Sequence, residues 1–347
     1  MQIQKSQSPE DTILKIEDLR VEFDSAPPVI AVDGVDLEIR AGQIVGLVGE
    51  SGSGKTVLSL SILRLLTEAA SIRQGAILWR GKNLLELNRE QMRRVRGAEI
   101  AMIFQNPQAS LNPMRKIGSQ ITSVLQLGRR VSTHDARSEA LRLLREVQIT
   151  DPERVYVSYP HELSGGMCQR VMIAMALSFH PALLIADEPT ASLDVTIQAQ
   201  IMDLLLDLRE RFNMSILLVS HDLGVIARMC DWIAVMYRGR IVEAGDAISL
   251  YETPKHPYTQ ALLRSVPVPD PRRRERLQIL PVDTGQTSTS LNGGCRFRPR
   301  CPIPLEDCAI VDPALIGSDE HHLVACINSR SGDSFFPEKT TKNGDDN

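Results

Sequence analysis

A chain of 347 residues, 43% hydrophobic and 24% charged, has the composition of a folded protein with room for one large domain and a smaller one. Its formal net charge of −4 gives no global attraction for nucleic acid, so we expect no nucleic-acid partner. Apolar runs stay below the roughly 18 residues that a membrane span needs, and residues 1–12 show no signal-peptide core, so we expect the chain to stay in the cytosol.

The first elements predicted along the chain are strands. Two β-rich runs, Ile13–Phe23 and Val29–Ile39, flank the turn signal Ser25–Pro28 and should pair as a small antiparallel sheet. Phe23 ends the first run. Its ring could stack on an adenine, or it could be an ordinary half-buried strand aromatic, and spacing alone does not separate these readings.

A phosphate-binding pattern follows between a predicted strand, Ile44–Val48, and a predicted helix, Val57–Leu66. The residues from Gly49 to Thr56 fit G-x-x-x-x-G-K-[ST] at every fixed position. Glycines let backbone N–H groups surround phosphates, a lysine reaches the β- and γ-phosphates, and a threonine hydroxyl ligates magnesium. The strand, loop and helix context favours this interpretation over a plain Gly/Ser turn. The assigned residues are Gly49, Ser51, Gly52, Gly54, Lys55 and Thr56.

Beyond this loop the pattern alternates between strands and helices. A helical region of about residues 106–180 interrupts it, with Asp135–Val147 as its clearest amphipathic segment. The alternation implies an α/β fold with a largely parallel sheet covered by helices. The other predicted elements are strands Ala76–Trp79, Ile100–Phe104, Ala182–Ala186, Ser215–Val219, Trp232–Tyr237 and Arg240–Glu243, and helices Arg89–Arg96 and Val195–Phe212.

Two further stretches carry chemistry. An apolar strand ends in Asp187 and Glu188, where one carboxylate can hold magnesium through its water shell and the other can polarise the water that attacks a γ-phosphate. The turn Ser164-Gly165-Gly166 opens an apolar helix, and free N–H groups at a helix N-terminus bind anions. The same turn could instead be an N-cap with glycines for tight packing, and its sequence alone leaves both readings open.

The order of these motifs resembles that of ATPase subunits of ATP-binding cassette (ABC) transporters over roughly residues 13–265. The matching positions are Gly49–Thr56, Gln105, Leu163–Gly166, Asp187–Glu188, Ser192–Asp194 and His221. The resemblance implies a P-loop NTPase core with a mostly parallel sheet, an antiparallel β subdomain, an inserted helical subdomain and a small Cys-containing C-terminal extension. It also implies two ATPase subunits packed head to tail, with each ATP between one subunit's P-loop and the other's Ser164, Gly165 and Gly166.

The resemblance also implies roles for single residues. Gln105 would sense the γ-phosphate and magnesium, His221 would contact the γ-phosphate, and Asp194 would couple the two sites across the dimer. Thr56, Gln105 and Asp187 would serve Mg²⁺, and Glu188 would be the catalytic carboxylate. Met167 stands where Gln is usual, which resembles the peptide-importer branch.

The carboxyl end sharpens this resemblance. His256–Leu263, followed by Gly294–Pro302, is similar to the extension of dipeptide and oligopeptide importer ATPases, whose cysteines are associated with a 4Fe-4S cluster. The cysteine spacing lacks paired C-x-x-C motifs, so iron–sulfur, zinc, and free thiols or disulfides stay open on spacing alone. The four residues are Cys295, Cys301, Cys308 and Cys326.

These observations predict three regions: an ATPase domain over residues 1–265, an extension over 266–328, and a disordered tail over 329–347. We expect the extension to lie away from the P-loop, so that ATP binding should survive loss of its cysteines.

The expected function is ATP hydrolysis that powers peptide import, at the cytoplasmic face of the bacterial inner membrane. Expected partners are a second, related ABC ATPase, two membrane permeases and, indirectly, an extracytoplasmic binding protein. Import of another solute, such as nickel or a glycoside, is the alternative. A non-transport cassette ATPase is another, although the long coiled-coil insertion of repair ATPases and the tandem cassettes of translation factors are missing from this sequence.

Overall fold

The computed structural model describes residues 11–128, 132–265, 293–319 and 322–329. The predicted linker after residue 265 and the predicted disordered tail lie almost entirely outside these ranges. In the described residues, the strands are β1 (Thr12–Phe23), β2 (Val29–Arg40), β3 (Ile44–Val48), β4 (Ala70–Trp79), β5 (Lys82–Asn83), β6 (Ile100–Ile103), β7 (Leu183–Asp187), β8 (Ser215–Ser220), β9 (Trp232–Tyr237), β10 (Arg240–Asp246), β11 (Ile316–Asp319) and β12 (His322–Val324).

The helices alternate with these strands as expected for an α/β protein, which confirms the predicted fold class. They are α1 (Lys55–Ile62), α2 (Arg89–Val95), α3 (Pro107–Ser110), α4 (Ile117–Gly128), α5 (Thr133–Glu146), α6 (Pro152–Val157), α7 (Gly165–Ala176), α8 (Val195–Phe212), α9 (Leu223–Met229), α10 (Ala247–Glu252) and α11 (Pro257–Ser265). Within the described ranges, none of these helices is long and apolar enough to cross a membrane.

A four-stranded antiparallel sheet of order β2-β1-β4-β5 confirms the predicted pairing of the first two strands. Strand β4 begins six residues earlier than predicted, at Ala70. Residues Ala70 to Ile72 pair with the end of β1, from Phe23 back to Val21. Tertiary pairing therefore extends the strand through a polar stretch that no local pattern marks as β.

The central sheet has eight strands in the order β11-β12-β10-β9-β3-β8-β7-β6. Five neighbouring strands of this sheet are parallel, in the order β9, β3, β8, β7 and β6. Strand β3, which leads into the phosphate-binding loop, and strand β7, which ends in Asp187, are buried along their whole length. Because parallel strands share one carboxyl edge, the loops after β3, β7 and β8 meet there. This edge carries the candidate site.

The C-terminal extension joins the central sheet instead of standing apart from it. Strand β12 pairs antiparallel with β10, and β11 pairs with β12. Glu243 and His322 close this junction with a 2.7 Å contact between Oε1 and Nε2, and both side chains are buried. No local sequence signal predicted this pairing, because strands of three and four residues show too little periodicity.

The helical insertion is confirmed, with α3 to α7 filling the region between β6 and β7. Its apolar side chains, among them Ile121, Leu143 and Ile173, share one buried cluster with the central sheet. Helix α1 ends at Ile62, four residues before the predicted Leu66. Beyond the helix end, Leu63 and Leu66 of the predicted segment still pack against a buried apolar cluster, whereas Leu65 is exposed.

Candidate nucleotide-binding site

The loop between β3 and α1 is shaped by glycines at its two ends. A Cβ on Gly49 would lie 2.1 Å from the carbonyl oxygen of Met236, and one on Gly54 would lie 2.3 Å from that of Ala31. Gly54 also has φ +107°, a conformation that L side chains rarely adopt. A Cβ on Gly52 would meet nothing within 4 Å, so that glycine faces open space. The loop therefore needs glycine at its ends and leaves its tip accessible.

Lys55 lies inside the curve of this loop. Its Nζ donates to the carbonyl oxygens of Gly49 at 2.7 Å and Glu50 at 2.9 Å, and it lies 3.4 Å from Ser53 Oγ. Burial lowers the pKa of Lys55, while the carboxylates of Glu188, Asp187 and Glu50 act in the opposite direction. A buried ammonium group held by loop carbonyls and the Ser53 hydroxyl is ready to exchange them for phosphate oxygens.

Oxygen donors suited to magnesium meet beside Lys55. Thr56 Oγ1 lies 3.3 Å from Asp187 Oδ1, and Asp187 is only 2% exposed. Burial raises the pKa of Asp187, and the Thr56 hydroxyl partly offsets that rise. Hydroxyl and carboxylate oxygens next to a phosphate site are the donors that Mg²⁺ prefers.

Glu188, the next residue, has a strained backbone with φ 45°. Its N–H donates to the carbonyl oxygen of Val219 at 2.9 Å, which fixes the turn. Gln105 Nε2 donates to Glu188 Oε2 at 2.7 Å, and His221 Nδ1 lies 3.3 Å from Glu188 Oε1. The left-handed conformation turns this carboxylate away from the buried strand toward two polar partners.

Ser164, Gly165 and Gly166 form a second, separate group. Ser164 Oγ accepts the N–H of Met167 at 3.3 Å as the N-cap of α7. A Cβ on Gly166 would lie 2.7 Å from Ile197 Cγ2, and one on Gly165 would lie 3.3 Å from Leu193 Cδ2. The capping and packing roles are therefore present. An anion could still use the exposed serine, because the remaining N–H groups of the first turn lack intrahelical partners.

Asp194 and Phe23 take ordinary structural positions in the single chain. Asp194 Oδ1 accepts the N–H of Ile197 at 3.0 Å and caps α8. Phe23 is half-buried at the end of β1, in register with Val29 and Ala70. Neither position conflicts with a nucleotide contact, and the adenine role of Phe23 stays a prediction.

The four C-terminal cysteines line one small pocket together with His256 and Phe297. Burial raises the pKa of the Cys301 thiol to about 11 and raises those of Cys295 and Cys326 as well. Across the described ranges, no group of three or more His, Cys, Asp or Glu side chains is arranged to hold a metal ion. The cysteines thus surround a common space without converging on one point.

The expectation that the extension lies away from the P-loop was wrong. Both Nη atoms of Arg300, the residue before Cys301, donate to the carboxylate of Glu50, at 2.7 and 2.8 Å. Tyr258 Oη accepts the Glu50 N–H at 2.9 Å. Sequence reasoning missed Glu50 because it occupies a variable position of the motif, and its partners follow it by 208 and 250 residues.

The fold and site together define a P-loop ATPase with a cassette-type helical insertion. Residues 32–191 match the ABC transporter family, and residues 242–308 match the oligopeptide/dipeptide transporter C-terminal region. A solved dimeric ATP-binding cassette, MJ0796, in a post-hydrolysis state bound to ADP and Pi, is similar with a TM-score of 0.61 and 27% identity, covering 67% of this chain and 98% of that one.

Curated relatives match over most of their length. A probable peptide ABC transporter ATP-binding protein of Sinorhizobium fredii is 47% identical, covering 92% of this chain and 96% of the relative. The oligopeptide transport protein AppD of Bacillus subtilis is 45% identical (91% and 96%), and the dipeptide transport protein DppD of Escherichia coli is 44% identical (87% and 92%). The chain therefore belongs to the ABC transporter ATP-binding proteins that carry the oligopeptide/dipeptide C-terminal region.

Proposed function

We propose that this protein hydrolyses ATP to power the import of peptides through separate membrane permeases. The observation that carries the proposal is the set of side chains at the carboxyl edge of the sheet, where Lys55 lies inside the loop, Thr56 bonds to Asp187, and the neighbouring Glu188 bonds to Gln105. Peptide as the cargo is supported by relatives named for peptide, oligopeptide and dipeptide transport. The C-terminal region supports peptide over nickel or a glycoside, which stay alternatives.

Within this site, the loop N–H groups and Lys55 would bind the phosphates of ATP. Bound Mg²⁺ would neutralise phosphate charge, held by Thr56, Gln105 and the water shell of Asp187. Glu188 would orient the attacking water and accept its proton. Support for that role is the position of its carboxylate between Gln105 and His221, two side chains that can keep it aimed while a nucleotide enters.

We also propose that the ATPase works as a head-to-tail pair with a related second ATPase. Ser164 and Gly165 contact Met167 and Leu193 of their own chain, and the contacts found for them in the described residues do not reach the P-loop. They are thus available to the partner's nucleotide, and Asp194 caps α8, the helix whose Ile197 a Cβ on Gly166 would approach. The solved cassette MJ0796 is dimeric, which supports this arrangement.

A 4Fe-4S cluster on Cys295, Cys301, Cys308 and Cys326 is the finer proposal for the extension. A cubane takes its thiolates at four separate corners, and support for this proposal is that all four cysteines line the same pocket. The cluster would have a structural role, because ATP hydrolysis requires no redox step. It would hold the segment 295–308 against β12 and the cassette.

We retain the division into an ATPase domain over 1–265 and an extension over 266–328. The two family matches support two functional regions, although the second match, residues 242–308, extends across the boundary at residue 265. Permeases, an extracytoplasmic binding protein and a position at the cytoplasmic face of the inner membrane follow from the proposed transport role.

Reconstitution of the chain with the permeases and ATPase encoded beside its gene tests this function. We expect ATP-dependent uptake of labelled di- or oligopeptides into vesicles, abolished by Glu188→Gln. Uptake of nickel or a glycoside in place of peptide would move the protein to the alternative cargo. ATP hydrolysis with no permease partner and no uptake would point to a non-transport cassette.

A further inference from the structure

Arg300 and Glu50 form the most direct link between the cysteine segment and the phosphate-binding loop. Nη1 of Arg300 donates to Glu50 Oε2 at 2.7 Å, and Nη2 donates to Oε1 at 2.8 Å. This two-point geometry fixes orientation as well as distance. Arg300 is buried, so water and salt screen the pair less than they screen a surface ion pair.

The backbone of Glu50 bonds to Tyr258 and to Lys55, the lysine proposed to bind the phosphates of ATP. Its N–H donates to Tyr258 Oη, and its carbonyl oxygen accepts Lys55 Nζ at 2.9 Å. Its carbonyl oxygen also accepts the N–H of Ser53 at 3.1 Å, across the loop. A shift of Glu50 would therefore move both the loop backbone and the carbonyl oxygen that places the lysine.

Arg300 itself is placed by an aromatic cluster at the base of the extension. Its guanidinium carbon lies 5.7 Å from the centre of the Tyr237 ring, and its N–H donates to the carbonyl oxygen of Phe297 at 2.9 Å. The ring centre of Phe297 lies 5.3 Å from that of Tyr237 and 5.5 Å from that of Tyr258. The extension thus presents Arg300 in one fixed orientation.

A second arginine of the same segment braces the other end of the loop. Arg296 Nη1 donates to the carbonyl oxygen of Arg238 at 2.6 Å, and Arg296 also pairs with Asp33. The adjacent residue, Gly239, donates its N–H to the carbonyl oxygen of Ser53 at 2.8 Å. The segment around Cys295 and Cys301 therefore contacts the loop directly at Glu50 and indirectly at Ser53.

We propose that Arg300 is a positioning residue for ATP: it holds Glu50, and through Glu50 it keeps the phosphate-binding loop in the shape that receives the phosphates. The inference rests on the proposed ATP site and adds a control of that site by the C-terminal extension. Arg300 acts on the loop and not on the reacting atoms. Its loss should therefore weaken ATP binding and raise KM while leaving kcat close to that of the wild type.

The test uses the full chain, prepared without oxygen, and measures the Kd of a fluorescent ATP analogue and the steady-state kcat and KM. We expect Arg300→Gln to bind about tenfold more weakly, as for loss of a charge-assisted pair. Arg300→Lys keeps the positive charge but cannot make the two-point contact with the Glu50 carboxylate, so its Kd should lie between those of the wild type and Arg300→Gln. The matched control is Arg298→Gln, an exposed arginine on the same turn, which should bind like the wild type.

Glu50→Gln removes the negative charge of the same Arg300–Glu50 pair and leaves Arg300 in place. If Arg300 acts through Glu50, this variant shows the same loss, and the double variant is no worse than either single one. Additive losses, an equal loss in Arg298→Gln, or wild-type binding in Arg300→Gln would each overturn the inference. A wild-type protein that fails to bind the analogue would overturn the proposed ATP site itself. If Arg300→Gln does not fold, the Kd values of Arg300→Lys and Glu50→Gln are compared instead with those of the wild type and Arg298→Gln. Wild-type binding in both variants would then overturn the inference.

Discussion

The P-loop region and the Ser164–Gly166 turn differ in what surrounds them. Around the P-loop, Lys55 bonds to the loop carbonyls of Gly49 and Glu50, and the Glu50 carboxylate bonds to Arg300. The Ser164–Gly166 turn is packed against α8 and offers one exposed hydroxyl and the start of a helix. In the proposed function, the first region supplies the groups that hydrolyse ATP, and the second supplies an anion-binding helix end. This difference is what a composite site between two subunits requires.

The largest expected effect is that of Glu188→Gln. The amide keeps the shape and can stay beside Gln105, but it cannot accept a proton, so turnover should fall by about 10²- to 10⁴-fold. ATP binding should persist, and ATP-bound dimers should accumulate in size-exclusion chromatography. Glu210→Gln, late in α8, is the control. Steady-state hydrolysis within a few-fold of the wild type would remove Glu188 from its assigned role.

Lys55→Ala should act on binding and not on chemistry. Loss of the buried ammonium should weaken ATP binding by at least about tenfold, measured by equilibrium binding of a labelled analogue. Lys82→Ala, at an exposed position, is the matched control. Because burial lowers the pKa of Lys55, its ammonium group loses its proton at a lower pH than a free lysine does. The ATP affinity of the wild type should therefore fall as the pH rises through this lowered pKa. The affinity of Lys55→Ala should not show this fall. Unchanged ATP affinity in Lys55→Ala would contradict the proposed binding of phosphates by the loop and Lys55.

Ser164→Arg tests the other side of the comparison. ATP binding to the single chain should be unchanged. Hydrolysis by the assembled pair should fall by about half or more. If the partner is a different ATPase, only one of the two sites carries the substitution and fails. Ser132→Arg is a close control, because Ser132 caps α5 in the same way. Full activity of the reconstituted pair with Ser164→Arg would argue against a shared site.

The smallest effect on ATP is expected for Cys301→Ser. The variant should lose iron and the brown absorbance of an anaerobic preparation, and its ATP affinity should fall only a few-fold, because Cys301 follows the arginine that holds Glu50. Cys168→Ser, in which a hydroxyl can keep the contact with Pro160, controls for the loss of any thiol. Stoichiometric zinc without labile sulfide in the wild type would overturn the iron–sulfur proposal and leave the ATP site intact.

Local patterns predicted the elements around the site well. Strand β3 and helix α8 have the predicted bounds, since a short apolar run between loops and a long segment of helical periodicity are strong local signals. The motif residues Lys55 and Thr56 follow β3 as predicted, but they form the first two residues of α1, which starts two residues before the predicted Val57. Residues of the same motif are neighbours in the chain, so no long-range information is needed to place them.

The sequence alone determined the phosphate loop, the carboxylates at the end of β7 and the alternating α/β order, because each depends on residues that are adjacent in the chain. The tertiary structure decided the left-handed backbone at Glu188, the pairing of β12 with β10, and the contact of Arg300 with Glu50 across 250 residues. Such features depend on which distant segments meet when the sheet closes. Periodicity and spacing report only the few residues on either side, so they cannot specify a partner that far along the chain.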